Sequence, residues 1–524
     1  MSHQAPGRTA AAPSDAEWFG QPRGLATLFF TEMWERFSYY GMRGLLILFM
    51  TASVADGGLA FDVAKAGAVY ALYTSLAYLA NLPGGWVADR ILGQRKSVLY
   101  GGIIIALGHF AMAAPALGLP ELPFFYSGLA IIIVGTGLLK PNISVMVGEL
   151  YPEGDARRDA GFSLFYMGIN IGAFVAPLVT GVLGEGISWH LGFGAAGVGM
   201  TLGLIQYQLG RRHLGEAGLH PSTTPDERVV AKRQANYVLV AVLAAIGLIL
   251  ALALTGTIAL TAEGISNGYG VLLAFVVLGL FGWLFSRPYW TNTERKRLYV
   301  IGVLFVAAAL FWSFFEQAGS TLNLFAAERT ARAAPDFVQG LLGGALDEGQ
   351  IPASSFQSLN ALFIIIMAPM FAWLWVWLNR RGKEPTSPGK FSFGLIFLGL
   401  GFAVLAVGAT LSQSGVEVSP MWLVVTYALH TIGELCLSPV GLSAMTKLAP
   451  YRIVSLMMGM WFLATSVGNY MGGFFVKLYA SMELPTLFGA MATFAVAMGL
   501  LLSVFVGPLR RMIDRAEAEK ATTV

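Results

Sequence analysis

Apolar residues run in long stretches, and polar residues collect between them. A helix needs about 20 apolar residues to cross a bilayer. Stretches of that kind lie at approximately 25–50, 62–88, 96–116, 122–147, 158–185, 188–209, 235–257, 267–286, 297–326, 355–379, 391–411, 420–447, 454–480 and 485–508. These fourteen segments predict an all-α integral membrane protein. An even number returns both ends of the chain to one side. The intervening loops are short except at 210–234 and 327–354, and the first of these separates six spans from the remaining eight. The expected order is a cytoplasmic tail (1–24), a six-helix bundle (25–209), a cytoplasmic linker (210–234), a two-helix hairpin (235–286), a second six-helix bundle (297–508) and a cytoplasmic tail (509–524). The hairpin carries no charge in its core and is expected at the periphery, facing lipid. Residues 1–24 are polar, have no apolar core of signal-peptide length, and are expected to form a short mobile tail.

Basic residues orient the segments, because loops rich in Lys and Arg stay in the cytoplasm. With the N-terminus inside, 26 basic residues fall on the cytoplasmic side and 4 outside (Lys65, Arg329, Arg332, Lys477), leaving Arg36, Arg43 and Lys140 in the membrane. Both termini are therefore expected in the cytoplasm. The composition agrees. Of 524 residues, 56% are hydrophobic and 12% are charged, against about 25% charged in soluble proteins. The net charge of +3 follows from topology and does not point to nucleic acid. Cys436 is the single cysteine, so no internal disulfide is available. Six scattered histidines, and no His-Glu-x-x-His, Gly-x-Ser-x-Gly or phosphate-cradling loop, argue against a metal site and against an enzyme.

The first span is the exception to the apolar rule. At 100° per residue, Glu32, Glu35, Arg36, Tyr39 and Arg43 fall within an arc of roughly 100°, with Tyr40 beside it. A charge at the bilayer centre costs roughly 2.5–3.5 kcal/mol on insertion scales, so four on one face need partners and a solvated space. Two readings follow, a polar pathway or internal salt bridges that hold helices together. Small residues and hydroxyls would do the second job more cheaply. In the fourth span Lys140 lies about 13 Å from the cytoplasmic end at 1.5 Å per residue. That is far to snorkel and favours an acid partner, Glu32 or Glu35. Asn170 in the fifth span serves either an interhelical bond or a ligand. In the ninth span Glu316, Ser320 and Asn323 are expected on one helical face. In the twelfth, Glu434 and Ser438 share a face near Pro439. Asn360 and Trp461 are further candidates, and Tyr39, Tyr40, Tyr78 and Trp312 would supply an aromatic lining.

The membrane thus holds cations only in the first half and core acids alone in the second. A space between the halves would be positive on one wall and negative on the other, and a zwitterion fits such a field. Extended residues span about 3.3–3.6 Å each, so a peptide of two or three residues has a suitable length.

The loop Gly85-Trp-Val-Ala-Asp89-Arg90-Ile-Leu-Gly93-Gln-Arg95-Lys96 resembles the cytoplasmic signature of the major facilitator superfamily. Asp89, Arg90 and Arg95 would then latch helix ends by salt bridges when the cytoplasmic side is shut. More specifically, Glu32-x-x-Glu35-Arg36-Phe37-x-Tyr39-Tyr40-Gly41, Phe162-Ser-x-x-Phe165-Tyr166 with Asn170-x-Gly172, and Gly433-Glu434-x-x-x-Ser438-Pro439 resemble the motifs of the bacterial proton-coupled oligopeptide transporters. That family has two extra helices between its six-helix halves. The resemblance implies a major-facilitator fold in the inner (cytoplasmic) membrane, acting as a monomer. It implies import of di- and tripeptides with protons by alternating access, driven by the proton gradient without a cofactor. It assigns the peptide carboxylate to Arg43 and Lys140, and the amino end and backbone to Glu434, Asn170 and Asn360. It assigns proton coupling to Glu32, Glu35 and Glu316, with Arg36 in their salt-bridge network. Rival readings are a proton-coupled drug antiporter and a nitrate-like anion carrier.

Overall fold

The computed structural model describes residues 17–152, 154–450 and 453–522. The expectations for the tail at 1–16 and for Arg452 lie outside those residues. The helices are α1 (Gly24–Thr51), α2 (Val63–Leu79), α3 (Asn81–Val87), α4 (Gln94–Ala113), α5 (Glu121–Glu149), α6 (Arg158–Gly186), α7 (Trp189–Gly210), α8 (Pro225–Leu254) and α9 (Ala262–Ser286). They continue with α10 (Asn292–Phe315), α11 (Thr321–Arg329), α12 (Asp336–Leu342), α13 (Ser358–Arg380), α14 (Ser387–Ser412), α15 (Met421–Leu448), α16 (Val454–Tyr479) and α17 (Leu484–Thr522). Each predicted span coincides with helix. Among the described residues, ten helices are long and apolar enough to cross a membrane by length and composition alone. The four charges of α1 keep it out of that set, and the break after Leu79 shortens α2.

The chain forms two compact units. Among the described residues, the first falls within 17–41, 80–176 and 193–254, and the second within 42–79, 177–192 and 255–522. Boundaries fall inside α1, α6 and α7, so each of these helices serves both units. In the first unit α4 and α5 meet along a seam of glycines. A Cβ on Gly101 would lie 2.7 Å from the Gly135 carbonyl oxygen, and one on Gly135 would lie 2.6 Å from that of Gly101. Small residues let helix backbones approach in lipid, where no hydrophobic drive holds helices together. In the second unit Gly394 of α14 and Gly433 of α15 stand in the same reciprocal relation.

Four segments differ from expectation. Residues 17–22 are not a mobile tail. Glu17–Trp18 (β1) and Gln21–Pro22 (β2) form a small antiparallel hairpin. Its turn, Phe19-Gly20, has positive φ at both positions, as a two-residue hairpin turn requires. Trp18 packs on Phe29, and Tyr151 donates to Gln21 at 2.9 Å. The linker at 210–234 is folded too. A short 3-10 turn covers Arg211–Leu214, and α8 starts already at Pro225. The loop at 327–354 contains α12, and bridges join Thr330 to Val418 and Ala333 to Gln350. The ninth span is not one helix, for α10 ends at Phe315 and a 3-10 turn covers Glu316–Gly319 before α11 begins.

Candidate functional site

The charged residues expected within the spans fall into two clusters, one in each unit. In the first unit α1 turns Glu32, Glu35 and Arg36 inward, and all three are buried. The Arg36 Nε lies 3.2 Å from Glu32 Oε1, and the neighbouring Glu35 carboxylate contacts the same guanidinium. Arg36 also stands 5.3 Å from the centre of the Tyr39 ring. Lys140 of α5 lies 5.7 Å from that ring and near enough to Glu32 to act on its charge. Tyr39 thus sits among the cations, edge-on to Tyr40. Two acids meet two cations, so the cluster is close to electroneutral. Asn170 is buried, and its amide donates to Tyr166 O at 2.9 Å, one turn back on the same helix.

In the second unit the centre is Arg43. Its Nη2 is 2.7 Å from Glu316 Oε2, with both side chains buried, and its Nε donates to the Tyr70 hydroxyl at 2.8 Å. Asn360 Nδ2 donates to Glu434 Oε2 and to Thr431 Oγ1, each at 3.0 Å. Glu434 is close enough to feel the charges of both Glu316 and Arg43. One carboxylate therefore pairs with the guanidinium and a second stands within electrostatic range of it. A second acid beside a satisfied ion pair is a place where a proton or an ammonium can be taken up. Charges in a low-dielectric site are held only when matched.

The break at Glu316 shapes this cluster. The 3-10 turn leaves Ser320 with φ −131° and ψ −93°, so Glu316, Ser320 and Asn323 do not share the expected face. Ser320 and Thr321 donate to Gln317 Oε1, each at 3.1 Å. The Gln317 amide donates to Ser313 O and Gly472 O. Asn323 donates to Gly44 O at 2.7 Å. Of the three, Glu316 alone faces Arg43. Ser320 holds the Gln317 side chain, which in turn satisfies the Ser313 carbonyl before the break, and Asn323 ties α11 to the backbone of α1.

The remaining expected residues are scattered. Trp312 packs edge-on against Phe311 and Phe315. Trp461 is buried, and the tip of its ring fills the space beside Gly441. Tyr78 and Ser438 are half-buried. Asp89, Arg90 and Arg95 make no salt bridge with one another among the described residues. Asp89 Oδ1 accepts from Gln94 at 3.0 Å, the Asp89 and Arg90 carbonyls accept from Ser222 and Thr223, and Arg95 Nε donates to Ala217 O at 2.8 Å. In this structure they fasten the folded linker. Burial pushes the Asp89 carboxyl above the usual range.

Sequence reasoning overlooked Tyr70, Thr431 and Glu185. Glu185, near the end of α6, accepts from Ala353 N at 2.7 Å and from Ser354 N at 2.9 Å and Oγ at 2.5 Å. An acid at the end of an apolar run carries no signal of its own. Only its position over the backbone N–H groups of 353–354 distinguishes it.

Paired charges buried in the spans of a multi-pass helical membrane protein suit a transporter, and no cluster of metal-binding side chains exists among the described residues. The comparisons narrow the class. The sequence profile of the POT family matches residues 95–492, and the chain belongs to that family. It is 42% identical to the peptide transporter YePEPT of Yersinia enterocolitica subsp. palearctica serotype O:3 (strain YE-P4), over 97% of this chain and 98% of the relative. It is 38% identical to a di-/tripeptide transporter of Lactococcus lactis subsp. lactis (strain IL1403), over 95% and 98%. The crystal structure of a peptide transporter POT in complex with sulfate superposes with TM-score 0.87 at 41% identity, covering 96% of this chain and 98% of that one. The fold is that of the major facilitator superfamily.

Proposed function

We propose that the protein is a proton-coupled symporter that carries di- and tripeptides into the cell across a bacterial inner membrane. Similarity to proteins named as peptide transporters supports the substrate class. The single observation that carries the coupling is the Arg43–Glu316 ion pair beside the Asn360–Glu434 pair. Breaking a buried pair by removing one partner costs about 3–5 kcal/mol, because a charge is left unmatched. Protonation of Glu316 removes the anion that holds Arg43. A peptide carboxylate is the replacement, and the peptide ammonium goes to Glu434 with Asn360 at the backbone. Proton and peptide then favour the same rearrangement, and each raises the affinity for the other.

Lys140 and Asn170 keep the peptide-binding roles that their motifs assign. Glu32, Glu35 and Arg36 form a second charge store, for protons or for structure. The reading includes cytoplasmic termini, two six-helix bundles at 25–209 and 297–508, a monomeric working unit, and energy from the proton gradient without a cofactor.

The test is uptake by purified protein in liposomes. Glu316→Gln is expected to lose accumulation driven by a proton gradient and to retain counterflow exchange of dialanine. A variant that still concentrates dialanine against its gradient overturns the coupling role.

A further inference from the structure

The second unit carries a concave apolar groove of about 480 Å³ between α9, α10, α14 and α17. Tyr299, Val303, Val306 and Leu310 of α10 form one wall, and Phe505 and Leu509 of α17 belong to another. Val306 and Phe505 are each about half exposed (53% and 51%), so the groove opens outward, toward lipid. From Tyr299 to Leu310 the α10 wall is about 16 Å long at 1.5 Å per residue. The hydrocarbon core is about 30 Å thick, so the groove is as deep as one leaflet.

Its two ends differ in charge. At one end the Phe285 and Tyr299 rings stack with centroids 5.1 Å apart. Just beyond them in the chain come Arg287, Arg295 and Lys296, and α17 continues past Leu509 into Arg510 and Arg511. The Arg287 guanidinium lies 5.0 Å from the Trp283 ring. Its Nε is buried with no hydrogen-bond partner among the described residues. The one acid in that stretch, Glu294, is already engaged. Its carboxylate caps its own helix, accepting from Thr291 N at 2.9 Å and Oγ at 3.1 Å. The other end, around Leu310, Leu395 and Met498, has no charge.

We infer that this groove holds an acyl chain of an anionic glycerophospholipid, whose phosphate rests against the basic rim of α9, α10 and α17. Apolar depth matched to a leaflet selects a lipid tail. Several cations gathered at the headgroup level select a net negative headgroup over a zwitterionic one. One of the two extra helices acquires a role on this account, because α9 supplies part of a wall and leads into Arg287 of the rim.

Native mass spectrometry of the delipidated full chain tests this, with phosphatidylglycerol, phosphatidylcholine and free glycerol phosphate as separate probes. Wild type is expected to retain phosphatidylglycerol in preference to phosphatidylcholine by on the order of tenfold, and to ignore glycerol phosphate. Val306→Trp fills the groove and is expected to abolish the phosphatidylglycerol adduct. The double variant Arg287→Gln, Arg295→Gln alters only the rim. It is expected to bind both lipids alike, so the idea stays testable if the tryptophan variant fails to fold. Equal retention of the two lipids by wild type overturns the proposal, and so does an adduct untouched by Val306→Trp. Competition by glycerol phosphate would point to a headgroup site alone. Dimers lost in Val306→Trp would assign the groove to a second copy of the chain.

Discussion

At the scale of single residues, Gly319 sets the geometry of the charged cluster. A Cβ there would overlap the Tyr70 hydroxyl and lie 2.7 Å from Arg43 Nε. Both groups belong to the hydrogen bond that holds Arg43, so neither can retreat without moving the guanidinium. Gly319→Ala is expected to lower the melting temperature, since overpacking costs about 1–3 kcal/mol. It should also raise KM for dialanine uptake. Unchanged KM and stability would show that Arg43 has slack the structure does not reveal. Glu434 calls for a chemical test. Glu434→Gln is expected to weaken binding of free dialanine and to leave N-acetyl-dialanine, which has no ammonium, nearly unaffected in competition uptake. Equal losses would remove the ammonium assignment. The charges of both clusters were legible in the sequence, because Arg43, Glu316 and Glu434 interrupt apolar runs. Gly319 was not, since glycine is common in membrane helices and nothing local marks the one whose missing Cβ matters.

At the scale of elements, α2 and α16 are joined by a reciprocal pair of serines. Ser75 Oγ donates to Ser466 O at 2.7 Å, and Ser466 Oγ donates to Ser75 O at 2.9 Å. The Tyr269 hydroxyl of α9 lies 2.7 Å from Ser75 Oγ and 3.3 Å from Ser466 Oγ. Of α9, only a narrow stripe including Ser266, Tyr269 and Leu273 is buried, so this hydroxyl is a main polar tie of the helix. Interhelical hydrogen bonds in membranes average about 0.6 kcal/mol and reach about 1.7. Tyr269→Phe is expected to destabilise the protein within that range in thermal unfolding, with peptide affinity unchanged. A wild-type melting temperature would mean that ring packing alone seats α9. The periodicity placed these helices but did not pair them. Serine hydroxyls hide cheaply against their own helix, so their interhelical role has no sequence signature. The break at Glu316 was likewise unreadable. Gly319-Ser320 is a weak interruption on paper, and the 3-10 turn is held by the partners of Gln317.

At the scale of the whole molecule, the fold class and the family follow from the chain alone. Long apolar runs leave helices as the only way to satisfy the backbone in lipid, and the basic loops bias orientation. The existence of buried charges was equally determined, because their cost in an apolar span is paid only for a reason. What the tertiary structure decided is which charge meets which. Glu32 and Glu35 take Arg36, their neighbour on the same helix, whereas Glu316 takes Arg43, which lies far away in the chain. The latch residues Asp89, Arg90 and Arg95 fasten the linker here, and the polar linker is itself folded. Hydropathy is a property of each segment in its solvent and can be read one residue at a time. Pairing is a property of two segments at a distance of a few ångströms, and only the folded chain sets that distance.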